Sequence, residues 1–99
     1  MYHKLRLCSN NGGFEAIPDP PHPLDLPAAR ERLRADGIAV VDARVLLIAT
    51  LPPEVTISRA GRLLFKTRDP NEADRAFERL RGLLDLPPVE GADGSAPAG

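Results

Sequence analysis

Apolar and polar residues alternate along this chain with two different periods. From Tyr2 to Cys8 the period is two, with Leu5 and Leu7 on one side and Lys4 and Arg6 on the other. That is the mark of a half-buried strand. From Leu26 to about Asp36 the apolar residues are Leu26, Ala29 and Leu33, a narrow helical stripe. Asp25 stands ready to cap this helix, Pro27 suits its first turn, and Gly37 follows its end. Ile38 to Leu51 is the most apolar stretch. One parity (Ala39, Val41, Ala43, Val45, Leu47, Ala49, Leu51) has no polar member, whereas the other carries Asp42 and Arg44. The spacing predicts one long strand, bent near Asp42, with one face buried.

Beyond Pro52-Pro53 the segment Glu54–Ser58 alternates again, and Arg62–Thr67 forms a second short strand. Arg59-Ala60-Gly61 between them is a hairpin turn, with Gly61 free to take a positive φ. The last element has the clearest start: Asp69 as cap, Pro70 in the first turn, and Glu72 where a capping box needs it. Ala73, Ala76, Phe77, Leu80, Leu83 and Leu84 then recur at helical spacing. The fold class expected is α+β, in two layers and the order β-α-β-β-β-α. The sheet is mainly antiparallel, and both helices cover one face of it. That buried face should carry Leu5, Leu7, Val41, Val45, Leu47, Val55, Ile57, Leu63 and Phe65.

Proline sets the boundaries. Pro18, Pro20, Pro21 and Pro23, behind Ser9-Asn10-Asn11-Gly12-Gly13, make residues 9–24 a loop. Residues 87–99 are rich in Gly, Ala and Pro and should form a disordered tail, leaving one domain over 1–86. Ninety-nine residues with 42% hydrophobic content suffice for one small core. With three Phe, one Tyr and no Trp, that core must be mainly aliphatic. A single Cys rules out an intrachain disulfide. No apolar run is long enough to span a bilayer, and the first residues lack the apolar segment of a signal peptide. The expectation is a cytoplasmic chain that does not enter membranes.

The formal net charge of −1 conceals a separation. Residues 9–26 and 85–99 hold six acids and no base, which leaves 13 bases against 8 acids elsewhere, a charge of +5. Alternation puts Lys4, Arg6, Arg44, Arg62 and Lys66 on the sheet face that the helices leave open, with Leu46, Ile48 and Leu64 among them. Such a face suits nucleic acid or another polyanion, with the five cations on phosphates. The apolar trio points instead to a protein partner or a homodimer.

The segment Leu47–Leu84 also resembles one repeat of the TATA-box-binding protein family. A strand there ends in a Pro-containing link (Pro52-Pro53), a hairpin turns on Ser58-Arg59-Ala60-Gly61, and a capped helix runs from Asp69. A strand–Gly–strand–helix ending of this kind also occurs in the N-terminal domain of one class of ribonuclease H. The resemblance implies a sheet that meets nucleic acid, and a homodimer joined at sheet edges in place of tandem repeats. The family's DNA-kinking phenylalanines and its minor-groove asparagines have no counterparts on these strands.

His3, Cys8 and His22 match no compact metal-ligand spacing, and Asn11-Gly12-Gly13 lacks a full phosphate-binding pattern. No metal, cofactor or catalytic group is expected. The function expected is a small non-catalytic binding module.

Overall fold

A computed structural model of the chain describes residues 1–3, 5–8 and 13–89. Eight elements follow one another: β1 (Arg6–Cys8), β2 (Gly13–Ala16), α1 (Leu26–Ala35), β3 (Ala39–Asp42), β4 (Leu46–Thr50), β5 (Glu54–Ser58), β6 (Leu63–Phe65) and α2 (Pro70–Leu84). The strands form one antiparallel sheet in the order β1-β2-β6-β5-β4-β3. The two-layer α+β class is as the sequence predicts, but the sheet holds two strands more than expected.

The first extra strand is β2, inside the stretch read as a loop. Phe14-Glu15-Ala16 alternates, and β2 pairs with β1 on one side and β6 on the other. Gly13 permits the close approach, since a Cβ there would overlap the Phe65 carbonyl oxygen. The second comes from splitting Ile38–Leu51. The chain reverses at Arg44-Val45, with Arg44 at φ 72 and the Val45 N–H donating to the Ala43 carbonyl at 2.8 Å. The Asp42 carboxylate steadies the turn by accepting from the Arg44 N–H at 2.8 Å.

That reversal overturns the predicted parity. Paired residues share a face of an antiparallel sheet. The β3–β4 register sets Val41 against Ile48 and Val40 against Ala49. Val41 and Ala39 therefore lie on the open face, and Val40 and Asp42 on the helix side. Val41 and Val45, both expected in the core, are each 62% exposed. On β4, β5 and β6 the expected core holds: Leu47, Ala49, Val55, Ile57, Leu63 and Phe65 are buried. Leu5, expected with them, is half-buried against that core, and the Leu7 side chain is not among those described.

The helices bury Leu26, Ala29 and Leu33 from α1 and Ala73, Ala76, Phe77, Leu80 and Leu84 from α2, the predicted stripes except Leu83, which is half-buried. Asp25 caps α1 by accepting from the Ala28 N–H at 3.2 Å. Asp69 caps α2 through the Asn71 N–H at 2.9 Å. Glu72 does not reach back to the cap itself. Its carboxylate accepts from the Thr67 hydroxyl at 2.5 Å, and that hydroxyl accepts from the Asp69 N–H at 3.1 Å, so Thr67 relays the box. Arg79 ties the helices together, 2.8 Å from Asp36 beyond the end of α1.

Tyr2 is where the ends of the chain meet the core. Alternation put it on the open face, yet it is fully buried. Its N–H donates to the Pro88 carbonyl at 2.9 Å, and Met1 and His3 exchange main-chain bonds with Asp19 and Ile17. Its ring meets Phe77 edge-on with centroids 5.2 Å apart, and its hydroxyl donates to the Gly61 carbonyl at 2.5 Å. Gly61 has φ 91, and a Cβ there would strike the His22 carbonyl oxygen. Residues 87–89, expected in the tail, pack here, with Val89 bridged to Tyr2. The rest of the expected tail lies outside the described residues.

Burial lifts the Tyr2 phenol from 10.0 to about 12, because the phenolate would lose its hydration. The unfolded chain releases this proton first, so the stability contributed is whole below pH 10 and is lost as pH rises to about 12. The loss amounts to about 3 kcal/mol. Tyr2 is the one tyrosine of the chain, so tyrosinate absorbance reads it alone. The native midpoint should lie near 12 and fall to about 10 in denaturant. Tyr2→Phe should abolish this alkaline loss at a cost of about 1 kcal/mol at neutral pH.

Candidate interaction face

The helices cover one side of the sheet and leave the other open. Register assembles that open side row by row. The middle row crosses all six strands as Arg6, Glu15, Leu64, Thr56, Ile48 and Val41. Towards the β5–β6 turn, Ser58 stands beside Leu46, with Arg62 following on from Ser58. Towards the other end, Glu54 is paired with Thr50, and Thr50 with Ala39.

The expected cations are not a patch. Arg6 is exposed on β1, directly across from Glu15. Arg62 forms an ion pair with the Glu15 carboxylate. Lys66 Nζ is 3.6 Å from Glu54 Oε2. Arg44 is in the β3–β4 turn and not on a strand. Lys4 lies outside the described residues. Glu15, assigned from sequence to an acidic loop, thus sits within the supposed cationic face. The charge separation dissolves for the same reason. Of the 13 bases only Lys4 lies outside the described residues, and of the 14 acids only Glu90 and Asp93, so the described chain carries twelve of each and no net charge.

The apolar group fares differently. Leu46, Ile48 and Leu64 are all half-buried on the open face. Leu64 and Ile48 flank Thr56, and Val41 extends the row to the sheet edge. The sequence missed Val41 because nothing marked Arg44-Val45 as a turn. It missed Glu15 because its strand is only four residues long and lies between a Gly pair and the proline cluster.

Other candidate chemistry is dispersed. His3 Nε2 lies 3.5 Å from Asp19 Oδ2, an exposed pair. His22 lines a cleft of about 290 Å3 on the helix side, with Asp25, Ala28, Arg32, Leu84 and Asp85. Two of its charged groups are engaged, Asp25 as the α1 cap and Arg32 with the Leu83 carbonyl at 3.3 Å. Among the described residues, no group of three or more His, Cys, Asp or Glu is gathered to hold a metal ion. No described helix is long and apolar enough to cross a membrane.

Glu15 is, with Glu54, one of the two carboxylates that offset the cations of this face. Glu15→Gln should cost about 1 kcal/mol, because Arg62 is largely in solvent while the Glu15 carboxylate that it pairs with is mostly covered. It should strengthen oligonucleotide binding several-fold at low salt, a gain that vanishes at high salt. A titration of wild type and variant across a salt series checks this.

No protein-family model, curated protein or solved structure matches this chain.

Proposed function

We propose that the protein is a non-catalytic interaction subunit and that a partner protein packs over the open face of its sheet. The observation that carries this is the row Leu64-Thr56-Ile48-Val41, aliphatic but for one hydroxyl and free of charge from β6 to the sheet edge. Burying such a row gains about 25 cal/mol per Å2 of apolar surface and strands no charge. Six strands span about 24 Å. A standard contact of about 800 Å2 per partner is similarly wide. The neighbouring ion pairs, Arg62 with Glu15 and Lys66 with Glu54, form a mixed polar rim of the kind that surrounds an apolar centre.

A second reading keeps a polyanion as the partner but moves it to the end of the sheet. The β4–β5 register sets Leu46 against Ser58, so the turns that carry Arg44 and Arg59 are neighbours. Both arginines are exposed. This reading keeps Arg44 from the expected cations and replaces the face with a rim.

Selection from a random peptide library separates the two. The face reading expects aliphatic peptides that stay bound at high salt and are lost by Leu64→Glu, which sets a second carboxylate beside Glu15. Leu64 lies outside the buried core, so this variant should fold. Selection of Asp- and Glu-rich peptides would overturn the face reading in favour of the arginine rim. So would tight oligonucleotide binding with a steep salt slope that Arg44→Ala and Arg59→Ala abolish.

A further inference from the structure

β3 ends the sheet, and among the described residues no strand covers its outer side. Soluble proteins usually guard such an edge with a lysine, a proline, a bulge or a covering loop. β3 reads Ala39-Val40-Val41-Asp42 and has neither a cation nor a proline. Its one charge, Asp42, is turned to the helix side, where Arg30 Nη1 holds it at 2.9 Å. Val41, on the open face, is 62% exposed.

The turn fixes which main-chain groups point outward. The Ala43 N–H donates to the Leu46 carbonyl at 2.9 Å. Hydrogen-bonded and non-hydrogen-bonded pairs alternate along an antiparallel ladder, so Val41 and Ala39 turn their N–H and C=O groups to β4. Val40 and Asp42 turn theirs away from the sheet.

We infer that this edge is a self-association site, where β3 of a second copy pairs antiparallel about a two-fold axis at Val41. The inference extends the interaction-subunit reading by naming the chain itself as one partner. In this register Val40 lies opposite the partner's Asp42, and each such pair exchanges two N–H···O bonds. Val41 faces the partner's Val41 at a non-hydrogen-bonded position, where Cα atoms come within about 4.5 Å. Sliding by two residues one way sets Asp42 against the partner's Asp42. Sliding the other way leaves the outward groups of Asp42 beyond the end of the partner's β3. Only the central register uses all the outward groups and keeps the carboxylates diagonal, each already held by its own Arg30. The balanced charge of the described chain sets up no long-range repulsion between copies. A two-fold axis normal to the sheet keeps both open faces on one side, so the two aliphatic rows join through the Val41 pair.

The test is cross-linking in a Cys8→Ser background, which removes the one natural thiol. Val41→Cys should oxidise to a covalent dimer roughly ten-fold faster than Thr50→Cys, an exposed position on the inner strand β4, because only the former meets its partner at disulfide range. In sedimentation, Val41→Lys should weaken dimerisation of the full chain by at least about ten-fold while thermal unfolding stays unchanged. Equal oxidation at both positions overturns the inference. So does a dimer that survives Val41→Lys but is lost in Leu64→Glu; that result moves the second copy to the open face and leaves the interaction reading standing. A chain that stays monomeric at every concentration overturns the edge contact alone, whereas failure of the peptide selection bears on the face alone.

Discussion

Residues paired across an antiparallel ladder point to the same side of the sheet, and every surface of this protein follows from that constraint. The pairing of β2 with β6 sets Phe14 beside Phe65 on the helix side and Glu15 beside Leu64 on the open side. The pairing of β3 with β4 carries Val41 across to Ile48. A shift of one residue in either register would exchange these faces. It would bury Glu15 under the helices or draw Asp42 away from Arg30. The register is held because the alternative is costly: Leu47, Val55, Ile57, Leu63 and Phe65 are all fully buried on the helix side.

A core with so few aromatic rings uses them at the points where separate parts of the chain converge. Phe77 of α2 packs edge-on against both Tyr2 and Phe65. Through Tyr2 that contact reaches the first residues, the residues after α2, and the Gly61 carbonyl in the β5–β6 turn. Aliphatic side chains from the sheet and helices fill the remainder. Such a core tolerates an edge strand that contributes little to it. β3 gives the interior no fully buried side chain, only the half-buried Val40. What lies on its open face is thereby free to serve another purpose.

Legibility in the sequence tracked local chemistry. Asp25 and Asp69 announced helix starts because capping is a local bond, and the Gly61 turn was visible because glycine marks a positive φ. The β3–β4 turn was invisible because an arginine takes that conformation, at a typical strain of about 1–2 kcal/mol. No glycine or asparagine signals it, and unbroken alternation through Asp42-Ala43-Arg44 imitates a single strand. Tyr2 escaped for another reason. Period two assigned it with Lys4 and Arg6, but the paired strand starts only at Arg6, so parity counted back from β1 did not apply. Half of the candidate face suffered accordingly. Leu46, Ile48 and Leu64 lie on the open face, where alternation along β4 and β6 places them. The cations do not gather as a group: Arg44 falls in a turn, Lys66 pairs with Glu54 on the next strand, and Arg62 with Glu15 from a distant segment, a pairing to which charge summed along a sequence is blind.

The balance of charge therefore bears most on function. A polyanion site gains from cations whose counter-ions it can release. On this face Arg62 and Lys66 already have carboxylates as counter-ions, so a phosphate would have to compete with Glu15 or Glu54 for them. In the proposed role an apolar partner would meet no such competition: it would remove Leu64, Ile48 and Val41 from water and leave each ion pair at the rim. Electrostatics would then limit which partners are admitted, and the hydrophobic row would supply the attraction. Residue 15 is where the two effects meet, because its carboxylate pairs with Arg62 and stands beside Leu64, where the aliphatic row begins.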